Sequence, residues 1–123
     1  MLIKKGRFYY YYLEGEEVIF SINNWETPFG LEKFGKKTIL NLRIPKNNEG
    51  LNLVNTVKQI CDEILEVENE FASNPIKENN GNPLLRCEFL GNDVYEKNDK
   101  VSGNLHFKIY NFRGNWGVSI ILN

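Results

Sequence analysis

The 123-residue sequence has one histidine, two cysteines and no apolar stretch near the length of a membrane span. A bilayer-crossing helix needs about 20 consecutive apolar residues, and the N-terminus has no apolar segment of signal-peptide type. The expectation is a soluble, cytoplasmic protein with no membrane partner. Cys61 and Cys87 form no Cys-x-x-Cys pair and fall in a helical and a strand pattern, where a reduced thiol reads as a small buried hydrophobe. Zinc spacing, an EF-hand loop and a phosphate loop are all missing. The lone imidazole, His106, sits in a strand pattern and reads as a surface or hydrogen-bonded residue rather than a general base. Asp62, Glu63, Glu66 and Glu70 read as the solvated side of a helix. No enzyme activity, catalytic residue, metal or cofactor is expected.

Charge of either sign is also not in excess: the net is −1. Its distribution is uneven, however. Residues 1–44 carry seven Lys/Arg against five Asp/Glu, residues 45–80 three against seven, and residues 81–123 five against four. A surface assembled from the two ends can be locally positive while the total stays near zero.

What the chain does have is aromatics, and they stand beside cations. Phe8-Tyr9-Tyr10-Tyr11-Tyr12 follows Lys4, Lys5 and Arg7. In an extended strand successive side chains face opposite ways, so Tyr9 and Tyr11 share one face and Phe8, Tyr10 and Tyr12 the other. A small domain can bury one such row; the other lies at or near the surface, unless a helix or partner covers it. Trp25, Phe29 and Phe34 sit in a Gly/Pro-containing stretch with Lys33, Lys36 and Lys37. Exposed π-faces flanked by cations suit unpaired bases and their phosphates.

The chain reads as one domain, residues 1–123. Strands are expected over 7–13, 17–23, 37–44, 84–90, 103–112 and 115–122, with one long helix from about 51 to 72. Residues 24–35 read as a loop, 76–83 as a polar turn region and 91–100 as a charged loop. Pro45 ends the third strand and Ser73-Asn74-Pro75 ends the helix. Six strands in hairpin-sized units with one helix suit a mostly β fold, a small antiparallel barrel of oligonucleotide-binding (OB) type. A half-open α+β sheet is the structural alternative.

Two stretches resemble the single-stranded DNA-binding proteins of podovirus-type bacteriophages. One runs from Phe29-Gly30-Leu31 through Gly35-Lys36-Lys37-Thr38-Ile39-Leu40-Asn41-Leu42-Arg43-Ile44-Pro45 into the acidic-faced helix and on to Glu70-Phe71-Ala72-Ser73-Asn74-Pro75. The other is Lys100-Val101-Ser102-Gly103-Asn104-Leu105-His106-Phe107-Lys108-Ile109-Tyr110, completed by Trp116-Gly117-Val118-Ser119-Ile120-Ile121-Leu122. The resemblance spans about two-thirds of the chain in the right order. It implies an OB-type barrel that binds single-stranded DNA without reading sequence, in phage replication and recombination in the host cytoplasm, with replication proteins as further partners. The family's members also carry a flexible acidic C-terminal tail. This sequence stops at Asn123, directly after a strand, so the tail's part in recruitment has no residues here to carry it.

The candidate nucleic-acid-binding residues are Lys4, Lys5, Arg7, Tyr9, Tyr11, Trp25, Phe34, Lys36, Lys37, Arg43, Lys108, Tyr110, Phe112 and Arg113. Phe8, Phe20, Phe107 and Trp116 are expected in the core, and the acidic helix away from the binding face. The alternative is a protein-interaction module, such as a small phage protein that docks on a host or replication enzyme through exposed aromatics. A homodimer through a strand edge remains open.

Overall fold

In the computed structural model residues 1–67 and 74–123 are described. Strands β1 (Leu2–Lys5), β2 (Phe8–Leu13), β3 (Glu16–Glu17), β4 (Ile19–Thr27), β5 (Leu31–Phe34) and β6 (Lys37–Arg43) precede helix α1 (Asn48–Val67). Strands β7 (Ile76–Asn79), β8 (Asn82–Phe89), β9 (Asp99–Phe112) and β10 (Asn115–Leu122) follow it. All ten belong to one mixed sheet of order β1-β2-β9-β10-β8-β6-β5, with β3 on β2, β4 on β9 and β7 on β8. The mostly β class with a single described helix is as expected. The strand count is ten rather than about six, and the ladder does not close into a barrel.

The extra strands, β1, β3, β5 and β7, are short hairpin partners of their neighbours. β7 and β8 meet at Asn80-Gly81, and β9 and β10 at Arg113-Gly114. In both turns the two central residues have positive φ, 52° and 80° in the first and 53° and 84° in the second. That is the backbone of a type I′ turn, whose twist matches the flanking strands and which glycine adopts without strain. Hairpin β7–β8 thus occupies the region expected as a polar turn, and β9 begins inside the stretch expected as a charged loop.

Strand β9 is the spine of the sheet. Along one edge it pairs with β10 from Leu105 to Phe112. Along the other it pairs first with β4, then with β2 at Ile109 and Lys108. Its side chains alternate strictly: Val101, Leu105, Phe107 and Ile109 are buried, while His106, Lys108 and Tyr110 point to the opposite face and are half-buried. Trp116, Val118, Ile120 and Leu122 of β10 continue the buried row, with Leu85, Cys87 and Phe89 of β8 and Leu40 and Leu42 of β6.

Helix α1 covers this inner face. Leu53, Val57, Ile60 and Ile64 recur at helical spacing and are buried in the same cluster. Its first turn is closed by Asn47, whose Oδ1 accepts from the Gly50 N–H at 3.0 Å in the manner of an N-cap. The expected helix end at 72 lies outside the described residues.

Trp25 corrects the reading of residues 24–35 as a loop. The pairing of β4 with β9 slips between Ile22 and Trp25, and Asn24 has φ 57°. This β-bulge re-aims the following side chain. Trp25 is thereby turned inward, is 3% exposed, meets Phe20 edge-on and donates its indole N–H to Glu49 Oε1. Glu49 thus ties the helix start to β4.

Two stability tests arise from this packing. Trp25→Phe keeps the ring but leaves the Glu49 carboxylate without its buried donor, a change that costs about 1–3 kcal/mol; urea unfolding should show a midpoint shifted down at unchanged slope. Burial raises the Cys61 thiol to about 11 and pushes Cys87 higher still. Both should therefore react with a disulfide reagent at pH 8 only slowly in the native protein and at once in denaturant.

Candidate nucleic-acid interface

The face of the sheet opposite the helix carries an open groove of about 1100 Å³. Period-two alternation builds it. Lys108 and Tyr110 of β9 stand opposite Ser119 and Gly117 of β10, and Arg86 and Glu88 of β8 face Asn41 and Ile39 of β6. Hairpin β1–β2 adds Lys4, Arg7 and Phe8, the start of β6 adds Lys37, and β7 adds Lys77. Phe112 marks the end at the β9–β10 turn.

Six cations therefore line the groove, Lys4, Arg7, Lys37, Lys77, Arg86 and Lys108, against one carboxylate, Glu88. None of the six is in an ion pair among the described residues. The ion pairs there join the N-terminus to Glu63 at 3.1 Å, Arg43 to Glu26 at 2.9 Å and Lys100 to Glu26 at 3.4 Å. A chain of net charge −1 thus places six cations without ion-pair partners among the described residues along one groove.

Three aromatics accompany the cations. Lys108 Nζ stands 4.3 Å from the centroid of Phe8. The Phe112 ring, 65% exposed at the hairpin end, has the Arg113 guanidinium 5.2 Å from its centroid. Tyr110 lies across Gly117, where an added Cβ would run into the Tyr110 ring. The missing side chain at 117 is what leaves room for that ring.

Of the fourteen candidate residues, the structure brings Lys4, Arg7, Lys37, Lys108, Tyr110 and Phe112 together here. Arg113 sits beside Phe112 at the rim. Phe34 is exposed on the neighbouring strand β5, with the Arg86 guanidinium 5.6 Å from its centroid, and Lys36 is exposed in the turn after it. Lys5 turns to Tyr12, whose hydroxyl holds the ammonium above its ordinary pKa. The remaining four are elsewhere. Tyr9 packs on Trp116 with ring centroids 5.1 Å apart. Tyr11 and Trp25 are core residues. The fourth, Arg43, is held by Glu26, away from the groove.

Phe8, Lys77 and Arg86 complete the site without having been among the candidates. Phe8 was expected in the core, but the inward row of β2 is Tyr9 and Tyr11, so Phe8 lands outside with Tyr10. Arg86 stands between buried Leu85 and Cys87 as Lys108 stands between buried Phe107 and Ile109; the same alternation marks both. Lys77 lay hidden because residues 76–83 carry mostly turn-forming residues.

In comparison with known proteins the chain matches no family model, no curated protein and no solved structure.

Arg43 provides a control for the groove. Its guanidinium, with help from Lys100, holds the Glu26 carboxyl below the usual carboxylate range. A lowered carboxylate pKa contributes stability that is present above the unfolded value of about 4.3 and lost as pH falls through the folded one. Arg43→Ala should accordingly flatten the acid side of the stability–pH profile and leave oligo-dT affinity at neutral pH unchanged. Arg86→Ala and Lys77→Ala should each weaken oligo-dT binding and lower the salt slope by about 0.7, the value of one phosphate contact on a single strand.

Proposed function

We propose that the protein is a sequence-nonspecific single-stranded DNA-binding protein without enzymatic activity, acting in phage replication and recombination. One observation carries the reading: six cations, one carboxylate and three outward aromatics share a single open groove. Each base of a single strand offers a π-face, and each phosphate a charge. Phe8, Tyr110 and Phe112 supply stacking surfaces worth about 1–3 kcal/mol per base, and the lysines and arginines hold the backbone between them. The groove's size supports a passing chain over an enclosed small ligand, since it exceeds the ~300–1,000 Å³ of ordinary small-molecule pockets.

The finer barrel reading belongs to the same proposal. The path β4-β9-β10-β8-β6 brings its two ends near each other, where Arg43 of β6 meets Glu26 of β4. Strands β8 and β10 are parallel and the other neighbours on this path antiparallel. Counting β4, β6, β8, β9 and β10 as five barrel strands, the groove lies over the second to the fifth, with Phe112 of the last hairpin at its end. Its β6–β8 part corresponds to the second- and third-strand face on which partly open barrels of the OB type take up oligonucleotides. The quoted resemblance to phage single-stranded DNA-binding proteins supports the same reading.

The protein-docking alternative draws on exposed aromatics, Phe29, Phe34 and Phe112, with exposed aliphatic side chains such as Leu13, Ile19, Leu65, Leu90 and Val94. The aliphatic ones are spread over two strands, the helix and a loop, and scattered apolar exposure is ordinary for a protein surface.

The deciding experiment is a titration of dye-labelled oligo-dT, read by anisotropy, with unlabelled duplex as competitor. If all six cations meet phosphates, affinity should fall by about 10²- to 10³-fold between 50 and 200 mM salt, and duplex should fail to displace the oligomer. Affinity indifferent to salt, or displaced by duplex, would contradict the proposal. Phe112→Ala should lose about 5- to 150-fold in oligo-dT affinity, the equivalent of one stacked base, while the thermal unfolding midpoint stays put because the ring is exposed.

A further inference from the structure

Beyond Lys108 the groove runs into a smaller hollow of about 280 Å³, and there the chemistry reverses. Lys108 and Glu88 line both spaces. The hollow adds a second carboxylate, Glu17, so that two carboxylates face one ammonium. A phosphate is repelled from such a place. A neutral group with N–H donors is attracted to it.

The rest of the lining fits a flat ring. Tyr10, which pairs with Lys108 across β2 and β9, contributes an aromatic wall. Ile121, 8% exposed and between His106 and Glu88 in the cross-strand row, gives an apolar floor. The far rim is fixed by His106 Nε2, which lies 3.1 Å from Asn123 Oδ1. Among the described residues Glu88 forms no ion pair, although it is half-buried beside Lys108 and two residues from Arg86. Its carboxylate therefore keeps its acceptor capacity for a ligand.

We propose that this hollow receives one base of the bound strand, with Tyr10 as its stacking partner and Glu88 as its reader, and that Glu88 favours guanine there. The inference rests on the single-strand reading of the main groove and adds one biased position to an otherwise indifferent path. A carboxylate has two acceptor oxygens side by side. Guanine offers two donors side by side on its Watson–Crick edge, N1–H and the 2-amino group, and the pair can form a bidentate contact. Thymine offers one N–H between two carbonyl oxygens, which a carboxylate repels.

The test compares three labelled oligomers of equal length at fixed salt: all thymine, thymine with interspersed guanines, and the same with hypoxanthine in place of guanine. Hypoxanthine lacks only the 2-amino group. The guanine oligomer should bind about 5-fold or more tightly than the all-thymine one, the lower range of a bidentate base contact, and hypoxanthine should lose most of that gain. Glu88→Gln should bring the guanine and all-thymine oligomers to equal affinity, whatever shift the loss of a groove carboxylate gives to both alike. Should that variant fail to fold, the guanine–hypoxanthine pair on the native protein still decides. Equal affinity for all three oligomers, with salt-sensitive binding intact, overturns the role of Glu88 and leaves the groove reading standing. Failure of all three to bind overturns both.

Discussion

Everything in this molecule hangs on the two-residue period of β9. Because side chains of a strand alternate, burying Leu105, Phe107 and Ile109 forces His106, Lys108 and Tyr110 to the other side. The buried row is held by β10, β8, β6 and the helix. A slip of one residue would send Lys108 into the core and Phe107 into water, and each alone is a heavy penalty. The same register that stabilises the core therefore fixes the cation and the tyrosine on the open face. Folding and the make-up of the open groove are two sides of one constraint.

Charge segregation follows from where the chain ends and middle go. The acidic middle segment forms the helix, and the helix is spent on closing the apolar face. The groove is assembled mainly from the two less acidic ends, the middle segment adding Lys77 with Asn74 and Pro75, and no residue of the described helix lines it. Two helix carboxylates do structural work instead: Glu49 accepts from the Trp25 indole, and Glu63 from the Leu2 N–H at 2.8 Å. Glu88 is the one carboxylate left among the groove cations, which gives its position chemical weight.

The strands whose hydrophobic rows alternate cleanly were legible: β6, β8, β9 and β10 lie close to where periodicity puts them, and so does the helix start. The groove's central pair, Lys108 and Tyr110, was legible for the same reason. What could not be read was set by long-range pairing. Which row of the Phe8–Tyr12 run turns inward depends on its pairing with β1 and β9, not on the run itself. Trp25 looked like a loop aromatic because the bulge at Asn23–Asn24 leaves no local mark that distinguishes it from a turn. Strand β1 is four residues with two lysines, too short for a pattern, yet the β2 edge gives it a ladder from Leu2 to Lys5.

The central claim is that a single strand lies over the Lys108–Tyr110 face and not elsewhere. Backbone amide shifts of the labelled protein, followed as oligo-dT is added, test it most directly. Perturbations should concentrate at 4–8, 86–88 and 107–113, with the amides of α1 and of β4 around Trp25 unmoved. Shifts centred on the helix or on Trp25, or saturation without any change along β9, would contradict it.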